Sequence, residues 1–96
     1  MATFVSLVSF TDQGIRNVKD SPARFDAFRA AAGKLGVTVK SVYWTVGSCD
    51  LVVTVDGPEE AVTTLLLKVG PLGNVRSQTP RAYGENESRR ILAAMP

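Results

Sequence analysis

The stretch Tyr43-Trp44-Thr45-Val46-Gly47-Ser48-Cys49-Asp50-Leu51-Val52-Val53-Thr54-Val55 decides the fold. Its β-branched and aromatic residues predict two strands, and the small polar residues between them predict a tight turn. Gly47 can adopt the positive φ that such a turn demands, and the Asp50 carboxylate can accept hydrogen bonds from nearby backbone N–H groups. The stretch therefore predicts two adjacent strands that place the only Trp and the only Cys near one end of a sheet.

The first third of the chain predicts a strand followed by helix. Residues 2–10 are rich in β-branched and aromatic residues, which is typical of a largely buried strand. Thr11 and Asp12 can cap a short helical turn over residues 14–19. A longer helix begins at Ser21-Pro22, with serine as the cap and proline at the first helical position, and ends at Gly36.

The remainder of the chain adds three strands and two helices. Pro80 places the last strand at a sheet edge, because proline has no N–H to donate to an inner ladder. The final helix carries Ile91 and Leu92, which we expect to dock on a surface that the sequence does not identify. The predicted segments are strands over 37–46, 50–56 and 74–83 and helices over 57–70 and 85–94.

This order is β-α-β-β-α-β, which predicts an α+β, ferredoxin-like fold with a four-stranded antiparallel sheet and helices on one face. Both faces of the sheet are apolar, since Val5, Leu7 and Val52 point away from the side that carries Phe4 and Val53. Helices on one face leave the other uncovered, and large exposed apolar patches are unusual on soluble monomers. We therefore expect a homo-oligomer, most simply a symmetric dimer.

Composition bounds the function. A chain of 96 residues predicts one domain spanning 1–96, and a net charge of +2 with scattered basic residues argues against nucleic-acid binding. Strand 50–56 also lacks the aromatic residues with which RNA-recognition modules stack bases.

No segment of the sequence indicates a membrane or secreted protein. No apolar stretch is long enough to span a membrane, and the basic segment that begins a signal peptide does not precede the first strand. A single cysteine excludes an internal disulfide. We expect a cytoplasmic protein that binds neither nucleic acid nor membrane.

Three segments resemble the GYD-domain family: Thr11 to Pro22, Val42 to Gly47, and Leu72 to Arg76. The resemblance extends from the first strand to about Tyr83. The naming motif of the family places Gly, Tyr and Asp around the turn between strands two and three. Gly47 and Asp50 fit this motif, whereas Cys49 stands where tyrosine is expected. The resemblance implies a ferredoxin-like fold of the dimeric α/β-barrel type and carries no settled biochemical activity.

Residues near the predicted turn are the first candidates for chemistry. Cys49 can act as a nucleophile only as a thiolate, which usually needs a histidine or lysine neighbour, and the chain has no histidine. A structural role for Cys49 is the simpler interpretation. Asp50 can serve as a general base or contact a ligand, or it can cap the turn. Tyr43 and Trp44 point to opposite faces of the sheet, and either can belong to a core, an interface or a ligand site.

Two further groups can bind anions. Arg16, Asn17 and Lys19 follow the Gln13-Gly14 turn, where they either bind a ligand or pair with nearby acids. On the last strand, Asn74 and Arg76 flank Val75, and Arg76 can hold a carboxylate or form an interface salt bridge. The candidate ligand-binding residues are Arg16, Asn17, Lys19, Trp44, Asp50, Asn74 and Arg76.

No pattern indicates a metal site or a Gly-rich phosphate loop, so we expect neither metal nor cofactor. The leading hypothesis is an oligomeric module that binds a small ligand between sheet and helices, rather than an enzyme. The alternative is a metal-independent enzyme in which Asp50 is the base and Arg76 or Arg16 holds a small anionic substrate. A third hypothesis is a protein that only assembles with itself, without a ligand.

Overall fold

The computed structural model describes residues 2–96 and consists of one antiparallel sheet with the longer helices packed on one side. Each α-helix and strand falls close to a predicted segment. The elements, in chain order, are β1 (Ala2–Phe10), α1 (Asp12–Arg16), a 3-10 turn (Val18–Asp20), α2 (Ser21–Lys34), β2 (Thr38–Trp44), β3 (Leu51–Gly57), α3 (Glu59–Val69), a 3-10 turn (Gly70–Leu72), β4 (Val75–Gln78), β5 (Arg81–Ala82) and α4 (Glu85–Ala93).

The strand order β2-β3-β1-β4 confirms the predicted ferredoxin-like arrangement. β1 pairs antiparallel with β3, and Val8 lies opposite Leu51. On its other side β1 pairs antiparallel with β4, and Phe10 lies opposite Val75. The carboxyl end of β1 therefore lies beside the start of both β3 and β4, and this end of the sheet carries the candidate site.

The core lies between the sheet and helices α2 and α3. Alternation along β3 buries Leu51, Val53 and Val55 on the helix side, as the predicted pattern requires. Phe25 on α2 and Leu65 on α3 pack against them. The buried apolar residues are Phe4, Phe25, Ala32, Val37, Leu51, Val53, Val55, Val62 and Leu65.

The second face of the sheet, which we call the open face, carries no buried residue among those that the structure describes. Val5, Leu7, Val52 and Tyr43 lie on it, because residues opposite one another in an antiparallel pair share a face. The Tyr43 residue is 65% exposed. The prediction that the chain leaves an apolar surface on this face is therefore met.

The connection between β2 and β3 differs from the predicted tight turn. It spans residues 45–50 and is closed by two hydrogen bonds of 2.7 Å, from the Thr45 N–H to the Asp50 carbonyl and from the Thr45 hydroxyl to the Cys49 carbonyl. Positive φ values occur only at Gly36 and Gly73 among the described residues. Because six residues share the chain reversal, Gly47 does not need the left-handed conformation, and that prediction is wrong.

The predicted last strand is divided into β4 and β5. Pro80 interrupts the ladder because it has no N–H, but its carbonyl accepts a 3.1 Å hydrogen bond from the Val5 N–H. Both pieces pair with β1 at the edge of the sheet, so the edge position predicted from Pro80 is confirmed.

Helix α4 forms as predicted, but its apolar residues do not dock on this chain. The Ile91 and Leu92 residues are 49% and 63% exposed, and no residue of α4 is buried. Within the part of the chain that the structure describes, no helix is both long enough and apolar enough to cross a bilayer.

Candidate functional site

A cavity of about 340 Å³ lies between the sheet and helices α2 and α3. Side chains of β1, β3 and β4 form its floor, and the two helices form its walls. Most of the lining is apolar, and the apolar lining residues are Val8, Phe10, Phe25, Ala27, Phe28, Ala31, Leu51, Val53, Leu65, Leu66, Val69, Leu72 and Val75.

The sequence creates this space by placing small side chains where the layers face each other. Ala27 and Ala31 are one helical turn apart on α2 and both line the cavity. Ser6 and Ser77 line it from β1 and β4. Two short side chains on the helix and two on the sheet leave a gap that larger residues would fill at normal packing density.

Polar side chains cluster at the carboxyl end of β1. Phe10 is the last residue of β1 and lies opposite Val75, the first residue of β4. Arg24 lies in the first turns of α2 and Lys68 in the last turn of α3, so both helices bring a cation to this end. Asn74 also lines the cavity here. We call this end, defined by Phe10, Arg24, Lys68 and Asn74, the cationic end.

The turn after β1 packs against the loop before β4 and closes one side of the cationic end. The Thr11 hydroxyl caps α1 by accepting the Gly14 N–H at 3.1 Å and donates to the Gly73 carbonyl at 2.6 Å. The Gln13 side-chain amide donates to the Asn74 Oδ1 at 2.9 Å. A Cβ on Gly14 would lie 2.0 Å from the Asn74 carbonyl oxygen. Two of the segments that resemble the GYD-domain family are therefore in direct contact.

Arg16, Asn17 and Lys19 do not line the cavity. All three are exposed, and the Asn17 side-chain amide donates to the Gln13 carbonyl at 3.0 Å. The backbone carbonyl of Asn17 accepts a hydrogen bond from Arg24 at 2.9 Å. Asn17 therefore helps to position Arg24, whereas Arg16 and Lys19 lie on the surface.

Trp44 lies on the helix side of the sheet and Tyr43 on the open face, as alternation predicts. The Trp44 Nε1–H donates to the Ser21 hydroxyl at 3.0 Å, and its indole ring meets the Phe25 ring edge-on at 6.0 Å. Trp44 does not line the cavity but contacts two residues that do. Ser21, which was predicted to be the N-cap of α2, is instead its first helical residue, and its hydroxyl accepts the tryptophan N–H. The N-cap residue is Asp20, whose side chain makes no capping hydrogen bond.

Asp50 accepts a backbone hydrogen bond, but from a residue distant in sequence. Its Oδ2 lies 2.8 Å from the Phe10 nitrogen, and its own N–H donates to the Val8 carbonyl at 2.8 Å. The carboxylate therefore extends the ladder between β3 and β1 instead of capping the local turn. The Cys49 side chain is half-buried, with Sγ 3.8 Å from the Thr45 hydroxyl oxygen.

Asn74 and Arg76 are separated by the structure. Asn74 borders the cationic end, whereas Arg76 lies opposite Ser9 on the open face. Arg76 also borders a second cavity, of about 320 Å³, beside β4 and the end of α3. Of the seven predicted ligand-binding residues, the structure thus places Asn74 on the main cavity and the other six elsewhere.

The sequence did not point to Arg24, Lys68 or the alanine pair of α2 as residues of a site. In the sequence, Arg24 and Lys68 look like ordinary basic residues of a helix surface. The sequence does not show that the start of α2 and the end of α3 border the same cavity. Ala27 and Ala31 carried a weak signal, since their spacing places two small residues on one helix face.

A family model described as "GYD domain" matches residues 4–92. The fold is similar to that in the crystal structure of TTHA0845 from Thermus thermophilus, with a TM-score of 0.54 and 24% sequence identity, covering 88% of this chain and 95% of that chain. At this identity the likeness supports the fold alone. A comparison with curated proteins found no match.

Proposed function

The chain belongs to the GYD domain family, and we propose that its function is to bind a small, largely apolar molecule between the sheet and helices α2 and α3. The observation that carries this proposal is the apolar cavity of about 340 Å³. Ligand pockets usually measure about 300–1,000 Å³ and are lined mainly by apolar side chains.

The surroundings of the cavity support binding over a packing defect. Arg24, Asn74 and the Thr11–Gly14 turn form a hydrogen-bonded border at one end, and Ser6 lies deeper in the apolar part. The Ser6 hydroxyl pairs with the Thr79 hydroxyl at 2.8 Å, so it does not need a ligand to satisfy it. A mainly apolar lining with a few convergent polar groups is the usual composition of small-molecule sites.

The catalytic alternative receives less support from the geometry. Asp50, its expected base, uses Oδ2 to accept the Phe10 N–H and does not line the cavity. Arg76 lies on the open face and Arg16 on the surface of α1. A general base must reach the proton that it removes, and these three residues do not converge on one space among residues 2–96.

The test of ligand binding uses 1-octanol, a neutral apolar probe, and amide chemical shifts. We expect saturable shift changes in residues around Ala31 and Leu65. Replacing Ala31 with Phe fills the cavity and should abolish them. Ala30→Phe is the matched control, because Ala30 is exposed on the same helix and does not line the cavity. Unchanged binding by Ala31→Phe, or no saturable binding by the wild type, would overturn the proposal.

We also infer that two copies pair through the open face. Val5, Leu7, Val52 and Tyr43 give this face an apolar centre. Arg76 lies at one end of the face and Asp56 at the other, since Arg76 pairs with Ser9 and Asp56 with Thr3. A two-fold axis that brings opposite ends together would bring Arg76 near Asp56. Because Asp56 already pairs with Lys40 of its own chain at 3.7 Å, the apolar centre of the face is the main support for this pairing.

Native mass spectrometry tests this assembly. The wild type should be a dimer, and Leu7→Glu should be a monomer because it places a charge at the centre of the open face. Leu67→Glu is the matched control, since Leu67 is 70% exposed on α3 and away from the open face. A monomeric wild type, or dissociation by both variants alike, would refute this assignment.

A further inference from the structure

Two cationic residues from different helices, Arg24 on α2 and Lys68 on α3, line the same apolar cavity. Arg24 and Lys68 are the charged residues that line it, and no Asp or Glu lines it among residues 2–96. Neither cation belongs to an ion pair between described side chains. One end of the cavity is therefore bordered by two cationic residues that have no carboxylate partner among residues 2–96, and the rest of its lining is mainly apolar.

Arg24 is held in place before any ligand arrives. Its Nη1 donates to the Asn17 carbonyl at 2.9 Å and its Nη2 to the Gly14 carbonyl at 3.4 Å. The guanidinium carbon lies 6.0 Å from the centre of the Phe10 ring. A guanidinium has more N–H donors than these two bonds use, so Arg24 can still donate to an anion. Because its side chain is already ordered, little conformational entropy remains to be lost on binding.

Lys68 supplies a different kind of positive charge. It is exposed in the last turn of α3, on the opposite wall from Arg24. A flexible lysine can follow the acidic group of a ligand, whereas the fixed arginine determines where that group lies. The remaining polar neighbour, Asn74, keeps its Oδ1 engaged with Gln13.

The charge lies at only one end. Deeper in the cavity the lining is formed by Ala31, Val53 and Leu65, together with Ser6, whose hydroxyl is already paired with Thr79. An ionised group would lose its hydration there without gaining a partner. A ligand that satisfies both regions has one anionic end and an apolar body.

Resting on the proposed function, we infer that the cavity takes an amphipathic anion, with its acidic group between Arg24 and Lys68 and its apolar chain along β1 and β3. A carboxylate gains charge-assisted hydrogen bonds from Arg24, while its hydrocarbon chain gains burial against the apolar lining. A neutral analogue keeps the burial of its hydrocarbon chain but loses the charge-assisted hydrogen bonds. A cationic analogue is repelled by Arg24 and Lys68.

Three probes with the same eight-carbon chain separate these contributions: octanoate, 1-octanol and octylammonium. We expect octanoate to bind about tenfold more tightly than 1-octanol, and octylammonium to bind more weakly than both. The preference for octanoate should shrink at high salt, while 1-octanol binding should not weaken, because screening acts on the charges.

The variant Lys68→Gln tests whether the preference for octanoate over 1-octanol arises at the cationic end. It should weaken octanoate binding about three- to fivefold and weaken 1-octanol binding clearly less, so that the preference for octanoate shrinks. Lys34→Gln is the matched control, since Lys34 is exposed at the other end of α2 and does not line the cavity. Lys68 is preferred to Arg24 for this test because Arg24 also bonds the backbone around α1.

The outcomes distinguish this inference from the proposed function. Equal affinities for octanoate and 1-octanol would overturn the anion preference and leave the apolar site standing. A preference for octanoate that Lys68→Gln and Lys34→Gln reduce equally would also overturn it, because the charge effect would then not belong to this end. Saturable binding of none of the three probes would overturn both.

Discussion

The carboxylate of Asp50 accepts the backbone N–H of Phe10 across a distance of 2.8 Å. Phe10 ends β1, and β3 begins only at Leu51, opposite Val8, so the β3 ladder does not extend to the Phe10 N–H. The side chain of Asp50 supplies the acceptor that the strand lacks. It thereby fixes the end of β1 that carries Phe10 into the cationic end of the cavity.

Removing this acceptor should therefore cost stability. We expect Asp50→Ala to lower the free energy of unfolding by about 1–3 kcal/mol, because a partly buried N–H loses its partner. Asp50→Asn keeps a carbonyl oxygen and should recover most of the loss. Urea denaturation measures both, with Asp26→Ala on the exposed face of α2 as the control. Equal stability of Asp50→Ala and Asp26→Ala would contradict this role.

The contact between Gly14 and Asn74 predicts a second effect on stability. A Cβ on Gly14 would meet backbone atoms, at 2.0 Å from the Asn74 oxygen and 2.9 Å from its carbonyl carbon, so no side-chain rotation can relieve the clash. Gly14→Ala should lower the free energy of unfolding by about 1–3 kcal/mol, as overpacking usually does.

Gly33→Ala is the matched control for this substitution. Gly33 is exposed on α2, and a Cβ there meets nothing within 4 Å. Its replacement should raise the free energy of unfolding by up to about 1 kcal/mol through helix propensity. The same sign of change in Gly14→Ala and Gly33→Ala would show that the close approach to Asn74 does not constrain α1.

Trp44 and Ser21 link β2 to the start of α2, and their energetic coupling can be measured. A double-mutant cycle of Trp44→Phe and Ser21→Ala keeps an aromatic ring beside Phe25. Each substitution also changes packing, and the cycle separates those effects from the coupling through the 3.0 Å hydrogen bond. We expect a coupling energy of about 0.5–1.5 kcal/mol from thermal or urea denaturation. Additive effects of the two substitutions would mean that the hydrogen bond contributes nothing.

Periodicity predicted the elements well because each one buries a face whose pattern is local in sequence. The alternation of Leu51, Val53 and Val55 and the helical spacing of Phe25 and Ala32 both correspond to buried residues. The fold class followed from the order of these elements. Helix α4 shows the limit of this reasoning, because an apolar stripe indicates that a helix has a face to bury but does not say what buries it.

The site was harder to predict than the fold, because it is formed by residues that are far apart in the sequence and close together only in the folded chain. Arg24 and Lys68 are separated by two strands and a loop in the chain, and only the sheet order brings their helices to the same end. Asp50 was interpreted as a residue of its own turn, since local hydrogen bonds are what a sequence suggests first. Its actual partner, Phe10, is forty residues away.

Helix α4 is attached to the rest of the structure through Arg81. The Arg81 guanidinium carbon lies 4.4 Å from the centre of the Tyr83 ring and 5.9 Å from that of Phe4, and Nη2 contacts Glu87 Oε2 at 3.1 Å. The hydrogen bond from Arg81 holds the pKa of the Glu87 carboxyl below its usual range. Ile91 and Leu92 are exposed, and this ion pair is one contact that connects α4 to β5.

Acidification should therefore weaken the contact between Arg81 and α4. A carboxyl whose pKa is lower in the folded state stabilises the fold above its ordinary pKa, of about 4.3, and this stabilisation is lost as the pH falls through the lowered value. We expect the amides of α4 to lose protection from exchange below about pH 4, after correction for the intrinsic pH dependence of exchange.

The variant Glu87→Gln should show lower amide protection of α4 than the wild type at neutral pH, and little further change as the pH falls. Glu85→Gln is the control, because Glu85 pairs with Arg89 within α4 itself at 2.8 Å. Protection of α4 that is independent of pH in the wild type, or that falls equally in both variants, would show that Arg81 and Glu87 do not hold the helix.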